Sequence, residues 1–190
     1  MTSCAWIFSS ELEQYYHDTE WGIPVYDDAV LFEFLVLEGA QAGLSWRTVL
    51  QKRAGYRQAF DQFNVQKIAN YDVHKKLSLS QNPQIIRHQL KINSVVSNAR
   101  LFIQIQKKYG SFSAYIWSFV KGKPIQNAWK RRENIPTRTE LSDLISVSLK
   151  RQGFKFVGTT ICYAYMQAVG MVNDHLLNCP RYRLCQVSSQ

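Results

Sequence analysis

No stretch of the 190 residues is long and apolar enough to cross a bilayer. The opening residues MTSCAWIFSS lack both a basic leader and an apolar h-region, so no secretory signal is expected and the expected compartment is the cytosol. Acids are scarce: 14 Asp and Glu stand against 23 Lys and Arg, a formal charge of +9. A surface with that excess either meets a polyanion such as nucleic acid or is simply solvated. Cysteine is sparse too. In a cytosolic chain, Cys4, Cys162, Cys179 and Cys185 are thiols or metal ligands rather than disulfides. No internal repeat, low-complexity tract or convincing strand run is present.

What is present is apolar and helical. Apolar residues make up 46% and aromatics 13%, which excludes disorder and suits one domain or two connected lobes. Asp27-Asp28 opens AVLFEFLVLEG, so apolar that it should be buried on most sides. Ser45 caps WRTVLQKRAGYRQAF, Asn64 caps VQKIANY and Asp72 caps VHKKLSL. KINSVVSNARLFIQIQKKYG is a long amphipathic helix ended by Gly110, and SFSAYIWSFV is a short aromatic one. KGKPIQNAWKRRENIP has no period and reads as a long surface loop. Thr137-x-x-Glu140 reads as a capping box for LSDLISVSLKR. The predicted class is all-α, two-lobed.

SLKRQGFKFVGTTICYAYMQAVG is a helix, a glycine-bearing turn and a helix, over about residues 140–170. Such a hairpin either packs as an ordinary αα-hairpin or aims backbone N–H groups at a DNA phosphate. Gly158 permits close approach, Thr159 and Thr160 begin the second helix, and Lys150, Arg151 and Lys155 surround it with positive charge. Cys4 and His17 lie near one end of the chain and His175-x-x-x-Cys179 near the other. Two thiolates and two imidazoles can close a tetrahedral zinc site of the structural kind; the alternative is two small buried thiols and two unrelated histidines. Cys162 lies on an apolar face and Cys185 in a basic, exposed tail.

Taken together, YYHDTEWGIP, LEGAQAGLSWRTVLQKR, IIRH, WSFV and KRQGFKFVGTTICYAYMQAVGMVNDH resemble the DNA-3-methyladenine glycosylase I family, from about Cys4 to Cys179. The resemblance implies a single helix-hairpin-helix glycosylase domain spanning residues 1–190. It implies hydrolysis of the N-glycosidic bond of 3-methyladenine in double-stranded DNA, by a monomer of the bacterial cytosol. It also implies a structural zinc held by Cys4, His17, His175 and Cys179.

The chemistry then selects further residues. A base in a duplex must be flipped out, which costs a few kcal/mol, and the gap must be filled. Gly43 and Leu44 form a candidate loop tip, with Leu44 either an inserted wedge or an anchor for the next helix. The lesion is cationic while bound to sugar, and aromatic faces attract a cation. Trp46, Trp6, Tyr16 and Trp21 are the candidate faces, each alternatively plain core. The resemblance implies Glu38, Tyr16 and Trp46 as base-binding residues, with Glu38 offsetting the charge; otherwise Glu38 is solvated or paired with Arg47 or Arg53. Asp174 reads as a structural or helix-capping residue, and no lysine is placed for Schiff-base chemistry. A non-catalytic damage-recognition module, or a purine-binding protein indifferent to DNA, is the alternative.

Overall fold

Each apolar-periodic segment of the sequence becomes a helix in the computed structural model, which describes Cys4 and residues 10–187. The helices are α1 (Glu11–Thr19), α2 (Asp28–Gln41), α3 (Trp46–Ala59), α4 (Val65–Ala69) and α5 (Val73–Gln81). There follow α6 (Gln89–Tyr109), α7 (Phe112–Trp117), α8 (Glu140–Gln152), α9 (Thr159–Ala168) and α10 (Pro180–Val187). None of the described helices is long and apolar enough to cross a membrane.

The starts and stops are chemical. Asp27, Ser45, Asn64 and Asp72 each accept hydrogen bonds from the N–H groups that begin their helices, contributing about 1 kcal/mol apiece. Gly110 and Gly153 take positive φ at the ends of α6 and α8. The box before α8 is not the predicted one. Thr139 caps it, bonding reciprocally with Ser142, because Thr139 is the extended residue whose hydroxyl reaches the Ser142 N–H.

α2 is the shared element. It is buried continuously from Leu31 to Ala40 and touches α3, α6, α7 and α9. α4, α5 and α7 gather around α6 on one side; α8 and α9 pair on the other. The two lobes expected from sequence therefore meet along one apolar helix.

Helix α1 was not expected from the sequence, and two further features escaped it. The segment after α7 is not only a surface loop. Its strand β1 (Ile125–Gln126) pairs in parallel with β2 (Val172–Asn173), and Trp129 is half-buried. A ladder of two residues is too short to show a period. The tail is not loose either: it forms α10, where Tyr182 and Cys185, three apart, share a buried face, so Cys185 is not exposed.

Gly170 turns the chain after α9 with φ +70°, and a Cβ there would collide with the backbone of Ile23 and Pro24. Gly170→Ala should destabilise by at least about 3 kcal/mol, from left-handed strain plus overpacking. A melting temperature about 10 °C lower is expected; an unchanged one would show that the turn has room.

A candidate base pocket and a cysteine–histidine cluster

Two carboxylates are buried on α2, and their surroundings differ. Glu33 accepts from Arg53 Nε at 2.6 Å and from Arg57 Nε at 3.0 Å. Glu38 has no ion pair, and its Oε2 has no hydrogen-bond partner among the described residues. The two cations the sequence offered it are engaged elsewhere. Arg47 bonds Glu13 at 3.0 Å, and Arg53 bonds Glu20 as well as Glu33. Burial therefore pushes the Glu38 carboxyl up to about 8. The fully buried Leu31, Phe32, Phe34 and Leu37 on the same helix, at about 1.5–3 kcal/mol each, outweigh the desolvation of one acid.

Glu38 opens onto a cleft of about 540 Å³. Tyr16 from α1, Trp21, and Trp46 at the start of α3 line it on one side. The rings of Tyr16 and Trp46 are 5.3 Å apart. Burial, then the charge of Glu38, holds the Tyr16 hydroxyl well above its usual range, so it stays a neutral donor. Trp46 Nε1 is buried and, like Glu38 Oε2, lacks a protein partner among the described residues. Trp6, the remaining predicted face, lies outside the described residues.

Most of the remaining lining comes from residues the sequence did not single out. Thr160, Tyr163, Ala164 and Gln167 of α9 provide it, with Arg132 and Pro136 from the segment before α8. Tyr163 and Gln167 are four apart on one helical face, a weak signal in an otherwise apolar segment. Both donate to Asp174, at 2.6 and 2.8 Å, as do Asn127 and Trp129, each at 2.7 Å. Asp174 is thus structural, as expected. Its oxygens are occupied by four side chains rather than by a helix terminus, which corrects the capping half of that expectation.

Immediately behind this wall, the chain ends meet. The ligand atoms of Cys4, His17, His175 and Cys179 all lie within 4.8 Å of one another, and all four residues are buried. His17 Nδ1 lies 2.7 Å from Asp18 Oδ1, and His175 Nε2 lies 3.0 Å from the Trp21 carbonyl. Those acceptors take the ring N–H groups and leave lone pairs on His17 Nε2 and His175 Nδ1, which face each other at 3.1 Å. Two facing lone pairs repel unless a cation lies between them. Cys179 Sγ is 3.6 Å from both nitrogens, and Cys4 Sγ is 3.9 Å from His175 Nδ1. Bonds of 2.0–2.3 Å in a tetrahedron put ligand atoms about 3.3–3.8 Å apart. The donor set and its spacing therefore fit a tetrahedral metal. Trp21 joins the two sites: it lines the cleft, stacks on His17 and meets His175 edge-on.

Residues 6–182 match the model of the family described as methyladenine glycosylase. The chain belongs to the methyladenine glycosylase family. It is 46% identical over 179 residues to the DNA-3-methyladenine glycosylase of Haemophilus influenzae, covering 94% of this chain and 97% of that one. A crystal structure of a 3-methyladenine DNA glycosylase I is similar with a TM-score of 0.92 at 47% identity, over 94% of this chain and 98% of that one. A Y16F variant of a 3-methyladenine DNA glycosylase I, solved in complex with 3-methyladenine, has a TM-score of 0.92 at 34% identity, over 100% of this chain and 98% of that one.

The remaining predicted residues lie on two elements at the surface. Between α2 and α3, Gly43 takes φ +80° with open space around it, and Leu44 is exposed. Between α8 and α9, Lys155 is exposed and a Cβ on Gly158 would meet nothing within 4 Å. Gly158 caps α9, whose first N–H groups have no carbonyl within the helix. The Thr159 hydroxyl is committed to Asp143 and Ser142, which leaves its backbone N–H as the group to offer.

The raised pKa of Glu38 links stability to pH. Unfolded, Glu38 ionises near its ordinary 4.5; folded, near 8. Its contribution is fully present below the lower value and is lost as pH rises through the higher one. Glu38→Gln should lie close to the parent's melting temperature at pH 4 and exceed it by about 10 °C at pH 8.5. Equal differences at both pH values would show that the carboxylate is hydrated in the folded state.

Proposed function

We propose that this chain is a monofunctional DNA-repair glycosylase that removes 3-methyladenine from double-stranded DNA. The observation that carries the reading is the pair of unmatched polar atoms, Glu38 Oε2 and Trp46 Nε1, in a cleft lined in part by Tyr16, Trp21, Trp46 and Tyr163. Buried polar atoms without partners are expensive, and a ligand is the economical way to satisfy them. The 3-methyladenine complex of a family member with this fold supports the same choice of ligand.

The lesion is flipped from the stack into the cleft, with Leu44 entering the gap it leaves. Gly158, Thr159 and Lys155 hold the adjacent phosphate through backbone N–H groups and charge. In the cleft, Trp46 and Tyr16 face the cationic base, and Trp21 closes the site beside the cluster. Glu38 accepts a hydrogen bond from the exocyclic amine, and the base's charge draws the carboxyl back to its ionised form. The methylated base is already a good leaving group. The C1′–N9 bond breaks with its electron pair passing to the base, which departs neutral. Water supplies a hydroxyl to C1′, and its second proton passes to solvent. An abasic site remains. No lysine lines the cleft among the described residues, which fits hydrolysis without a Schiff base, and Asp174 is fully engaged as an acceptor.

We infer similarly that Cys4, His17, His175 and Cys179 hold one zinc ion. Closed off by four protein ligands, such an ion has no reactive position and serves to tie the two ends of the chain together.

Glu38→Gln should slow release of 3-methyladenine from methylated duplex DNA by roughly 10- to 100-fold, the loss expected for a hydrogen bond to a charged group. Unchanged release would remove Glu38 from recognition. Duplex binding without any release by the parent would instead favour a damage-recognition module. For the metal, elemental analysis should give about one zinc per chain, absent from Cys179→Ser along with much of the thermal stability. A metal-free, fully stable parent would overturn the zinc assignment.

A further inference from the structure

α6 reaches into both exposed elements from one side. Near its start, Lys91 Nζ donates to the carbonyls of Ala40 at 2.8 Å and Ala42 at 2.7 Å, where α2 ends and the Leu44 loop departs. Seven residues on, the Asn98 amide grips both backbone groups of Lys155 in the α8–α9 hairpin. Its Nδ2 donates to the Lys155 carbonyl and its Oδ1 accepts from the Lys155 N–H, each at 3.0 Å. A spacing of seven is about two helical turns, so the two side chains share one face of α6. Both are buried. A third contact closes the triangle: Gly39 lies against Phe156 of the hairpin, where a Cβ would stand 3.3 Å from that of Phe156.

The last carbonyls of α2 have no partner within the helix and form its negative end. An ammonium is the group that suits them, but burying one is unfavourable unless its hydrogen bonds are made. A lysine kept inside the protein to bond two carbonyls of one turn therefore points to a need for that turn to stay put. The loop it anchors stands clear of the rest of the protein at its tip: a Cβ on Gly43 would meet nothing within 4 Å, and Leu44 is exposed. A loose wedge must lose its freedom when it enters a duplex, whereas a held one has already lost it.

We propose that Lys91 is a positioning residue for base flipping: it fixes the departure of the Ala42–Ser45 loop so that Leu44 stands at a set place relative to the hairpin held by Asn98. The proposal rests on the reading that Leu44 fills the gap in the duplex. It assigns Lys91 no contact with the base or the DNA.

The test compares release of 3-methyladenine from a methylated duplex and from the same methylated strand without its complement. A single strand needs no wedge. Lys91→Met should lower release from the duplex about tenfold or more and leave release from the single strand within about twofold. Leu44→Ala should show the same split. The double variant should be no worse than either single one, because both remove the same function. Equal losses on both substrates would reduce Lys91 to general stability and overturn the proposal, as would effects that multiply in the double variant. If Lys91→Met does not fold, Lys91→Gln, which retains one donor group, should give a smaller loss confined to the duplex; a loss on both substrates would again overturn it. A parent inactive on both substrates would overturn the glycosylase reading and this proposal together. An active parent with an unchanged ratio in the variants would overturn this proposal alone.

Discussion

A buried carboxylate without a counter-ion is the constraint around which this molecule is arranged. Glu38 lies on a helix buried continuously from Leu31 to Ala40, and Arg47 and Arg53 are both held by other acids. Glu33, on the same helix, shows what the chain does with an acid it means to keep satisfied. Withholding that treatment from Glu38 leaves one negative position in a partly aromatic cleft, worth far more to a cation there than it would be in water. The helix can carry the strain because its other faces are packed on both sides of the molecule.

The cleft exists because distant parts of the chain are brought to face α2. α1 and α3 supply Tyr16 and Trp46, and α9 supplies the wall opposite. That wall is braced from behind: Tyr163 and Gln167 are tied to Asp174, which also anchors the segment after α7 through Asn127 and Trp129. The next residue, His175, belongs to the cysteine–histidine cluster. Pocket wall, hairpin helix and the cysteine–histidine cluster are thus joined through Asp174, which accepts from four side chains.

Much of this was legible in residue order. Caps such as Asp27, Ser45 and Asp72 announce themselves because a short polar side chain before an apolar period has one favourable use. The Cys4, His17, His175 and Cys179 set could be named because soft and imidazole ligands form a small vocabulary. Illegible were features whose signal is shorter than a period. These include the two-residue ladder of β1 and β2, the displaced capping box at Thr139, and the burial of Cys185. Arg132, Tyr163 and Gln167 were missed for a related reason: a residue that lines a cleft from across the molecule looks, in sequence, like any other polar residue on a helix or loop.

The sequence alone determined most of the helices and most of their caps, the family to which the chain belongs and the residue types available for binding a cation. Those follow from local periodicity, local hydrogen bonding and long motifs in a particular order. Only the tertiary structure decided which of the acids would go unpaired. Pairing depends on distances between helices far apart in the chain, and no local pattern distinguishes Glu38 from Glu33. The same holds for Lys91, an unremarkable lysine near a helix start until the fold brings it under the carbonyls of Ala40 and Ala42.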